Sequence, residues 1–178
     1  MEFGTEGATE IVESPEEVGV IINSVIELQR KCKKYVSEQS EDFLTDLYSR
    51  GLLKVGKNPR GEIVATFYQL PLNILLSDSD QEQIFRIGGL STQLTPDSVK
   101  VLLKMLKDLE NEIITMHKKV IATSKNATIA KYLKKVGMIE VTFEEALLRY
   151  PQAVELYLSR SGKSAEEYKS NKFFVGNL

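Results

Sequence analysis

The segment 119–138, KVIATSKNATIAKYLKKVGM, restricts the fold of this chain more than any other part of the sequence. Its apolar run 120–122 is typical of a buried strand. Beyond Asn126 the apolar residues recur at helical spacing, and Gly137 ends the predicted helix because glycine readily adopts left-handed dihedral angles. A second strand is predicted to begin at Met138. The segment therefore indicates a compact α/β unit of strand, helix and strand.

Three further helices are predicted before this unit, at 15–34, 41–50 and 96–117, each preceded by a serine or threonine that can cap its N-terminus. The first ends in the basic run 30–34. We interpret this run as a solvated face that complements the negative end of the helix dipole, with phosphate binding as the alternative. His117, at the end of the third helix, is interpreted as a surface residue for the same reason.

The strands before the long helix are predicted from short apolar runs bounded by turn residues. They are the segments 11–12, 52–55, 62–70 and 84–92. The segments 52–55 and 62–70 form a hairpin across a KNPRG turn, in which proline presets one dihedral angle and glycine relieves the turn. Segment 71–80 is predicted to be a loop. Gly88 and Gly89 indicate a bulge, or a close approach of the backbone to something else.

After the α/β unit the chain is predicted to be helical from 142 to 171, with a final short strand at 173–175. Two capping boxes begin helices in this segment, Thr142 with Glu145 and Ser164 with Glu167. Pro151 separates the first two helical pieces.

Composition limits the partners and sites that the chain can have. A formal net charge of −2 and the absence of a basic patch interleaved with aromatic residues argue against nucleic acid as a partner. No apolar stretch is long enough for a membrane span, so no membrane partner is expected. With one cysteine and one histidine, an intrachain disulfide and a His/Cys metal site are excluded. We expect a cytoplasmic protein with a single domain at 11–178, after an unstructured tail or cloning remnant at 1–10.

The order of these elements, together with Asn126 followed by Gly137 and Met138, resembles the GNAT-type N-acyltransferases. The resemblance implies an α/β fold with a mixed sheet of six to seven strands flanked by helices, and it makes segment 142–171 a helical insert. It also implies that the parallel strands 84–92 and 120–123 splay apart and hold acetyl-CoA or another acyl-CoA.

By this resemblance the free backbone at the end of strand 84–92 and the asparagine after strand 120–123 contact the pantetheine arm. The N-terminus of the long helix, with its hydroxyl groups, faces the pyrophosphate. The cofactor-binding residues implied in this way are Leu90, Ser91, Thr92, Thr95, Ser98 and Asn126.

The sequence departs from the family pattern at three places. Segment 93–99 lacks the glycines of the pyrophosphate loop and carries a proline and an aspartate instead. The position of the usual general-acid tyrosine is Leu133, and the neighbouring Tyr132 is rotated by about 100° around the helix. The insert 142–171 replaces a hairpin and is expected to cover the acceptor side or to form a partner surface.

The function implied is transfer of an acyl group from acyl-CoA to a small-molecule or protein amine. The candidate bases are Glu62, Glu82 and Glu140, which the sequence does not rank. The alternative is a catalytically inactive GNAT-like module that binds a protein or another ligand. Its contact surface would comprise Leu147, Val154, Tyr157 and Leu158, unless these residues pack on the sheet. An unrelated α/β binding domain and a homodimer are left open.

Overall fold

The computed structural model describes residues 13–34, 36–75, 81–93, 95–161, 164–169 and 171–177. The helices of these residues are α1 (Pro15–Lys31), α2 (Glu41–Ser49), α3 (Pro96–Thr115), α4 (Ala127–Lys135), α5 (Phe143–Arg149), α6 (Pro151–Ser161) and α7 (Ala165–Lys169). The strands are β1 (Leu53–Lys57), β2 (Ile63–Leu75), β3 (Gln81–Thr92), β4 (Lys119–Ser124), β5 (Ile139–Val141) and β6 (Lys172–Gly176). The strand predicted at 11–12 lies outside the described residues.

The strands form one mixed sheet in the order β1-β2-β3-β4-β6-β5. Among the described strands only β3 and β4 pair in parallel, and β6 inserts between β4 and β5 with antiparallel pairing on both sides. This arrangement confirms the predicted α/β class and a six-stranded mixed sheet flanked by helices.

The helix boundaries follow from the caps that the sequence predicts. Ser14 and Thr142 each form a complete capping box with the glutamate three residues on. Thr95 accepts a hydrogen bond from the backbone N–H of Ser98 and so caps α3. Gly137 has a φ of +86°, the left-handed conformation that ends α4.

The prediction of a loop at 71–80 is wrong for residues 71–75, because these residues continue strand β2. Pro71 lies opposite Phe85 within the β2–β3 ladder. The N–H of Gln69 bonds to the carbonyl of Leu52 on the β1 side, and the nitrogen of Pro71, two residues on, points the same way. Because β1 does not reach that far, the proline removes no ladder hydrogen bond. The remainder of the loop, 76–80, lies outside the described residues.

Helices cover both faces of the sheet. Helices α3 and α4 pack on one face through a cluster that includes Leu106, Leu133 and Ala122. On the other face α1 and α2 cover β1 and β2, while α5, α6 and α7 cover β3, β4 and β6. The prediction that the helical insert packs on the sheet is confirmed.

The alternative prediction, that residues of the insert form a contact surface for a partner, is wrong for two of those residues. Val154 is 0 % exposed and Tyr157 is 3 % exposed, because both pack against strand residues that include Phe173. Leu147 and its neighbour Leu148 remain exposed. Within the described part of the chain, no helix combines the length and the apolar character that crossing a membrane requires.

Candidate functional site

Strands β3 and β4 part at their C-terminal ends. Their parallel pairing runs from Ile84 with Lys119 to Ile87 with Ala122, although both strands continue beyond it. A bulge lies in the same place, because two residues of β3 stand opposite Phe67 of β2. Gly89 in this bulge has a φ of +63°. The bulge, which comprises Gly89 and Leu90, and the parting of the strands agree with the sequence prediction of a bulge in this strand.

A cavity of about 630 Å³ opens where the two strands part. Its walls come from the end of β3, the end of β4, the start of α4, the loop between α1 and α2, and helices α6 and α7. This volume lies within the range of small-molecule and cofactor sites.

Two of the predicted cofactor-binding residues, Leu90 and Asn126, line this cavity. Asn126 is the N-cap of α4, and its Oδ1 accepts hydrogen bonds from the backbone N–H groups of Thr128 and Ile129 at 2.9 and 3.2 Å. The cap uses the carbonyl oxygen of this side chain, and its N–H₂ group is not part of the cap. The conformation that begins α4 therefore fixes an amide side chain at the edge of the cavity.

The other four predicted residues, Ser91, Thr92, Thr95 and Ser98, are not among the residues that line the cavity. The Ser91 and Ser98 side chains are buried, at 1 % and 2 % exposure. The hydroxyl groups of Thr95 and Ser98 bond to each other at 2.6 Å, which occupies them in the cap of α3. The structure thus separates the α3 N-terminus from the cavity that Leu90 and Asn126 share.

The charged side chains that line the cavity are all cationic in the described part of the chain. Lys33, Lys34 and Lys125 are exposed at its walls, and Arg86 lies deeper. No aspartate, glutamate, histidine or cysteine of the described residues lines it. Lys33 and Lys34 belong to the basic run for which phosphate binding was the alternative interpretation.

Arg86 lies on β3 between two tyrosine rings. Its guanidinium carbon is 4.4 Å from the ring centre of Tyr157 on α6 and 6.0 Å from that of Tyr68 on β2. Its Nε is buried and has no hydrogen-bond partner. None of the ion pairs formed among the described residues includes Arg86.

The two phenols beside Arg86 are neutral at neutral pH. Burial raises the pKa of Tyr68 and the pKa of Tyr157, and the nearby guanidinium only partly offsets this effect. Burial, the largest single influence, would lower the pKa of Arg86, but Tyr157, Tyr68 and Tyr168 together raise it, and the guanidinium remains charged. The positive charge of Arg86 is therefore not neutralised by its aromatic neighbours.

Two of the three candidate bases, Glu62 and Glu140, are not among the residues that line the cavity. Glu62 is exposed in the turn before β2 and accepts a hydrogen bond from Asn58 at 2.7 Å. Glu140 on β5 pairs with Lys134 and Lys172, which lower the pKa of its carboxyl group. The Glu82 side chain lies outside the described part of the chain.

Leu133, at the position of the usual general-acid tyrosine, is 2 % exposed and lines the cavity. Tyr132 is not among the lining residues, as the rotation of one helical residue predicts. The phenols that reach the cavity come instead from Tyr68, Tyr157 and Tyr168.

Sequence reasoning missed Arg86 and the tyrosines around it. One signal was present: Arg86 is the only charged residue in segment 84–92, IFRIGGLST. A lone charge within an uncharged strand indicates a residue held for a specific role. The tyrosines gave no comparable signal, because they are distant from Arg86 in the sequence and come close only through sheet pairing and the packing of α6 and α7.

No protein-family model and no curated protein matches this chain. Among solved structures, the chain is similar to the crystal structure of Rv2747 from Mycobacterium tuberculosis, in complex with CoA and NLQ. The two share 16 % sequence identity with a TM-score of 0.55, over 90 % of this chain and 95 % of that one. With the strand order and the parting of β3 from β4, this likeness shows a GNAT-like fold.

Proposed function

We propose that this protein binds an acyl-CoA between the parted ends of β3 and β4 and transfers the acyl group to an amine. The observation that carries the proposal is the cavity of about 630 Å³ at the point where the parallel pairing stops. The similar fold of Rv2747 was crystallised with CoA, which supports a CoA ligand here.

The positive charge that CoA phosphates require would come from Lys33, Lys34 and Lys125. The glycine-free segment before α3 does not offer a row of free backbone N–H groups, because Pro96 has no N–H and the Thr95 hydroxyl caps the helix. The three lysines are exposed at the cavity and can present point charges to a phosphate.

In the proposed reaction the neutral amine attacks the thioester carbonyl carbon. A C–N bond forms, the C–S bond breaks, the amine loses one proton and the CoA thiolate gains one. Since Tyr157 and Tyr68 hold their protons at neutral pH, they are candidates for donating a proton to the thiolate, after which the phenol regains a proton from solvent. The proton of the amine would leave to solvent, because no described carboxylate or imidazole lines the cavity.

Isothermal titration calorimetry with acetyl-CoA, and with CoA for comparison, tests the proposal. We expect micromolar dissociation constants that weaken as salt rises, because phosphate contacts are screened. Lys125→Ala should weaken binding several-fold, roughly 1 kcal/mol for a partly screened charge pair. Lys131→Ala is the matched control, since this exposed lysine of α4 does not line the cavity. Absence of heat with both ligands would refute CoA binding.

A second function is favoured because no aspartate, glutamate or histidine of the described residues lines the cavity. A catalytically inactive module would bind CoA or another ligand without turnover. The two functions differ in thiol release: an enzyme frees CoA from acetyl-CoA when an amine is added, whereas an inactive module binds acetyl-CoA and frees none. Propionyl-CoA and longer acyl-CoAs, tested in the same assay, would define the acyl group.

A further inference from the structure

The inner wall of the cavity holds two polar atoms without partners. One is the Nε of Arg86, a hydrogen-bond donor on a cationic group, and the other is the Oδ1 of Asn171, an acceptor. Both residues line the cavity. Buried polar groups in folded proteins are nearly always hydrogen-bonded, so a donor and an acceptor left together at one cavity indicate a ligand that satisfies both.

Of the two groups, Arg86 requires a partner more strongly than Asn171 does, because Arg86 is charged. Removing a guanidinium from water without an anionic partner is costly, and the groups that act on its charge here are the phenols of Tyr157, Tyr68 and Tyr168. Phenols that remain protonated satisfy hydrogen bonds but supply no countercharge. Among the described residues, therefore, no negative charge lies beside Arg86 at the cavity.

Arg86 lies on the face of the sheet that the helical insert covers. Arg86 contacts Tyr68 and Tyr157, which pack with α1 and α2 and with α5 to α7, whereas the next residue, Ile87, packs with α3 and α4 on the opposite face. The exposed lysines suited to phosphates come from other elements, the loop after α1 and the end of β4.

A carboxylate fits this position better than a phosphate. One guanidinium balances one negative charge, and its planar fork matches the two oxygens of a carboxylate. With only neutral phenols around it, one of the two negative charges of a phosphate dianion would be left uncompensated. The unpartnered Oδ1 of Asn171 completes the match by accepting an N–H from an amine.

We propose that the acceptor is a small amine that also carries a carboxylate, with the carboxylate bound by Arg86 and an amine N–H donated to Asn171. This inference rests on the proposed acyl transfer and specifies the substrate class for the same site. Free amino acids are the simplest molecules of this class.

The test compares amino acids with their own amides in the thiol-release assay with acetyl-CoA. Each of the twenty L-amino acids is paired with its carboxamide, which keeps the amine and removes the negative charge. We expect kcat/KM for the best amino acid to exceed that of its amide by about 100-fold, because a buried charged site rejects a ligand that leaves it unpaired.

Arg86→Gln should raise KM for the preferred amino acid and bring the acid and amide to similar rates, while calorimetric affinity for acetyl-CoA is retained. Arg60→Gln is the control, since this arginine is exposed in the turn between β1 and β2. Circular dichroism shows whether Arg86→Gln folds. If it does not, the comparison of each amino acid with its amide on the unaltered protein still tests whether the carboxylate is recognised.

The outcomes separate the two proposals. Binding of acetyl-CoA with equal rates on acids and amides, or with no reaction on either, overturns the carboxylate inference alone. Absence of acetyl-CoA binding overturns the proposed function and this inference with it.

Discussion

The guanidinium carbon of Arg86 lies 4.4 Å from the centre of the Tyr157 ring, and this contact joins the sheet to the helical insert at the cavity. The hydroxyl of Tyr157 also hydrogen-bonds to that of Thr123 on β4, at 2.6 Å. One side chain of α6 thus contacts both strands that part. The insert therefore forms part of the cavity wall as well as covering the sheet.

The bond between Tyr157 and Thr123 is expected to couple α6 energetically to β4. In a double-mutant cycle of Tyr157→Phe and Thr123→Val, the two changes should be non-additive by about 1 kcal/mol, since each alone leaves the other hydroxyl without its partner. Urea unfolding of the four proteins measures this coupling. Thr66→Val is the control, because the Thr66 hydroxyl donates to the backbone carbonyl of Lys54 and not to Tyr157. The effects of Thr66→Val and Tyr157→Phe on stability should therefore be additive. Additivity in both cycles would show that the hydroxyl contact contributes nothing.

Local signals in the sequence predicted most of the fold. Ser14, Thr95 and Thr142 begin helices because their hydroxyl groups satisfy backbone N–H groups of the first turn, a property of a few neighbouring residues. The bulge at Gly89 was also predicted from neighbouring residues alone, the two adjacent glycines. Pro71 was misread because its tolerance within a strand depends on where β1 ends, and only the strand register contains that information.

The candidate site was predicted only in part. Asn126 and Leu90 reach the cavity because the α/β unit and the bulge place them there. The surroundings of Arg86 could not be read from the sequence, because Tyr68 and Tyr157 approach it from another strand and from the insert. The pairing of the Thr95 and Ser98 hydroxyl groups likewise depends on the geometry of the α3 cap.

Glu112 on α3 is expected to stabilise the protein in a pH-dependent way. Burial would raise the pKa of its carboxyl group, but Lys118, 2.6 Å away, and Gln69 outweigh burial and lower it. A folded-state pKa below the unfolded value adds stability above the ordinary glutamate pKa, and this stability is lost as pH falls through the folded value. Glu112→Gln should therefore cost about 1 kcal/mol at pH 7, allowing for solvent screening, and less as the pH is lowered.

Urea unfolding of both proteins from pH 7 down to about pH 3 checks this dependence, since the range spans the ordinary glutamate pKa. Glu110→Gln is the control on the same helix, because Glu110 forms a looser pair with Lys107 at 3.9 Å. It should change stability by less than about 0.5 kcal/mol. A loss for Glu112→Gln that stays the same at both ends of the range would contradict the argument.

Gly19→Ala should stabilise the protein. Gly19 lies within α1, and an added Cβ would have no atom within 4 Å. Alanine restricts the unfolded chain and favours the helix, so we expect a gain of about 0.5–1 kcal/mol in the free energy of unfolding. Gly137→Ala is the comparison, because its surroundings are equally open but its φ is +86°. Gly137→Ala should lower the free energy of unfolding by about 1–2 kcal/mol, because alanine is strained in the left-handed conformation. Equal effects in thermal unfolding would show that φ is not the determinant.

Gly89 is expected to be required both for folding and for the cavity. Its φ of +63° strains any other residue, and an added Cβ would lie 2.7 Å from Cε1 of Tyr68. That ring cannot turn aside freely, because it packs edge-on against Phe43 with ring centres 5.6 Å apart. Gly89→Ala should therefore combine left-handed strain with overpacking and cost about 2–5 kcal/mol.

Gly61→Ala separates the two contributions to this cost. Gly61 has a similar φ of +82° in the turn before β2, with open space around an added Cβ. Gly61→Ala should lose only the strain component, about 1–2 kcal/mol, and should leave acetyl-CoA affinity unchanged because Gly61 does not line the cavity. Gly89→Ala should weaken acetyl-CoA binding as well, since displacement of Tyr68 changes the cavity wall. If urea unfolding gives the two variants the same loss, the Tyr68 ring yields to the added methyl group, and the bulge needs glycine only for its backbone conformation.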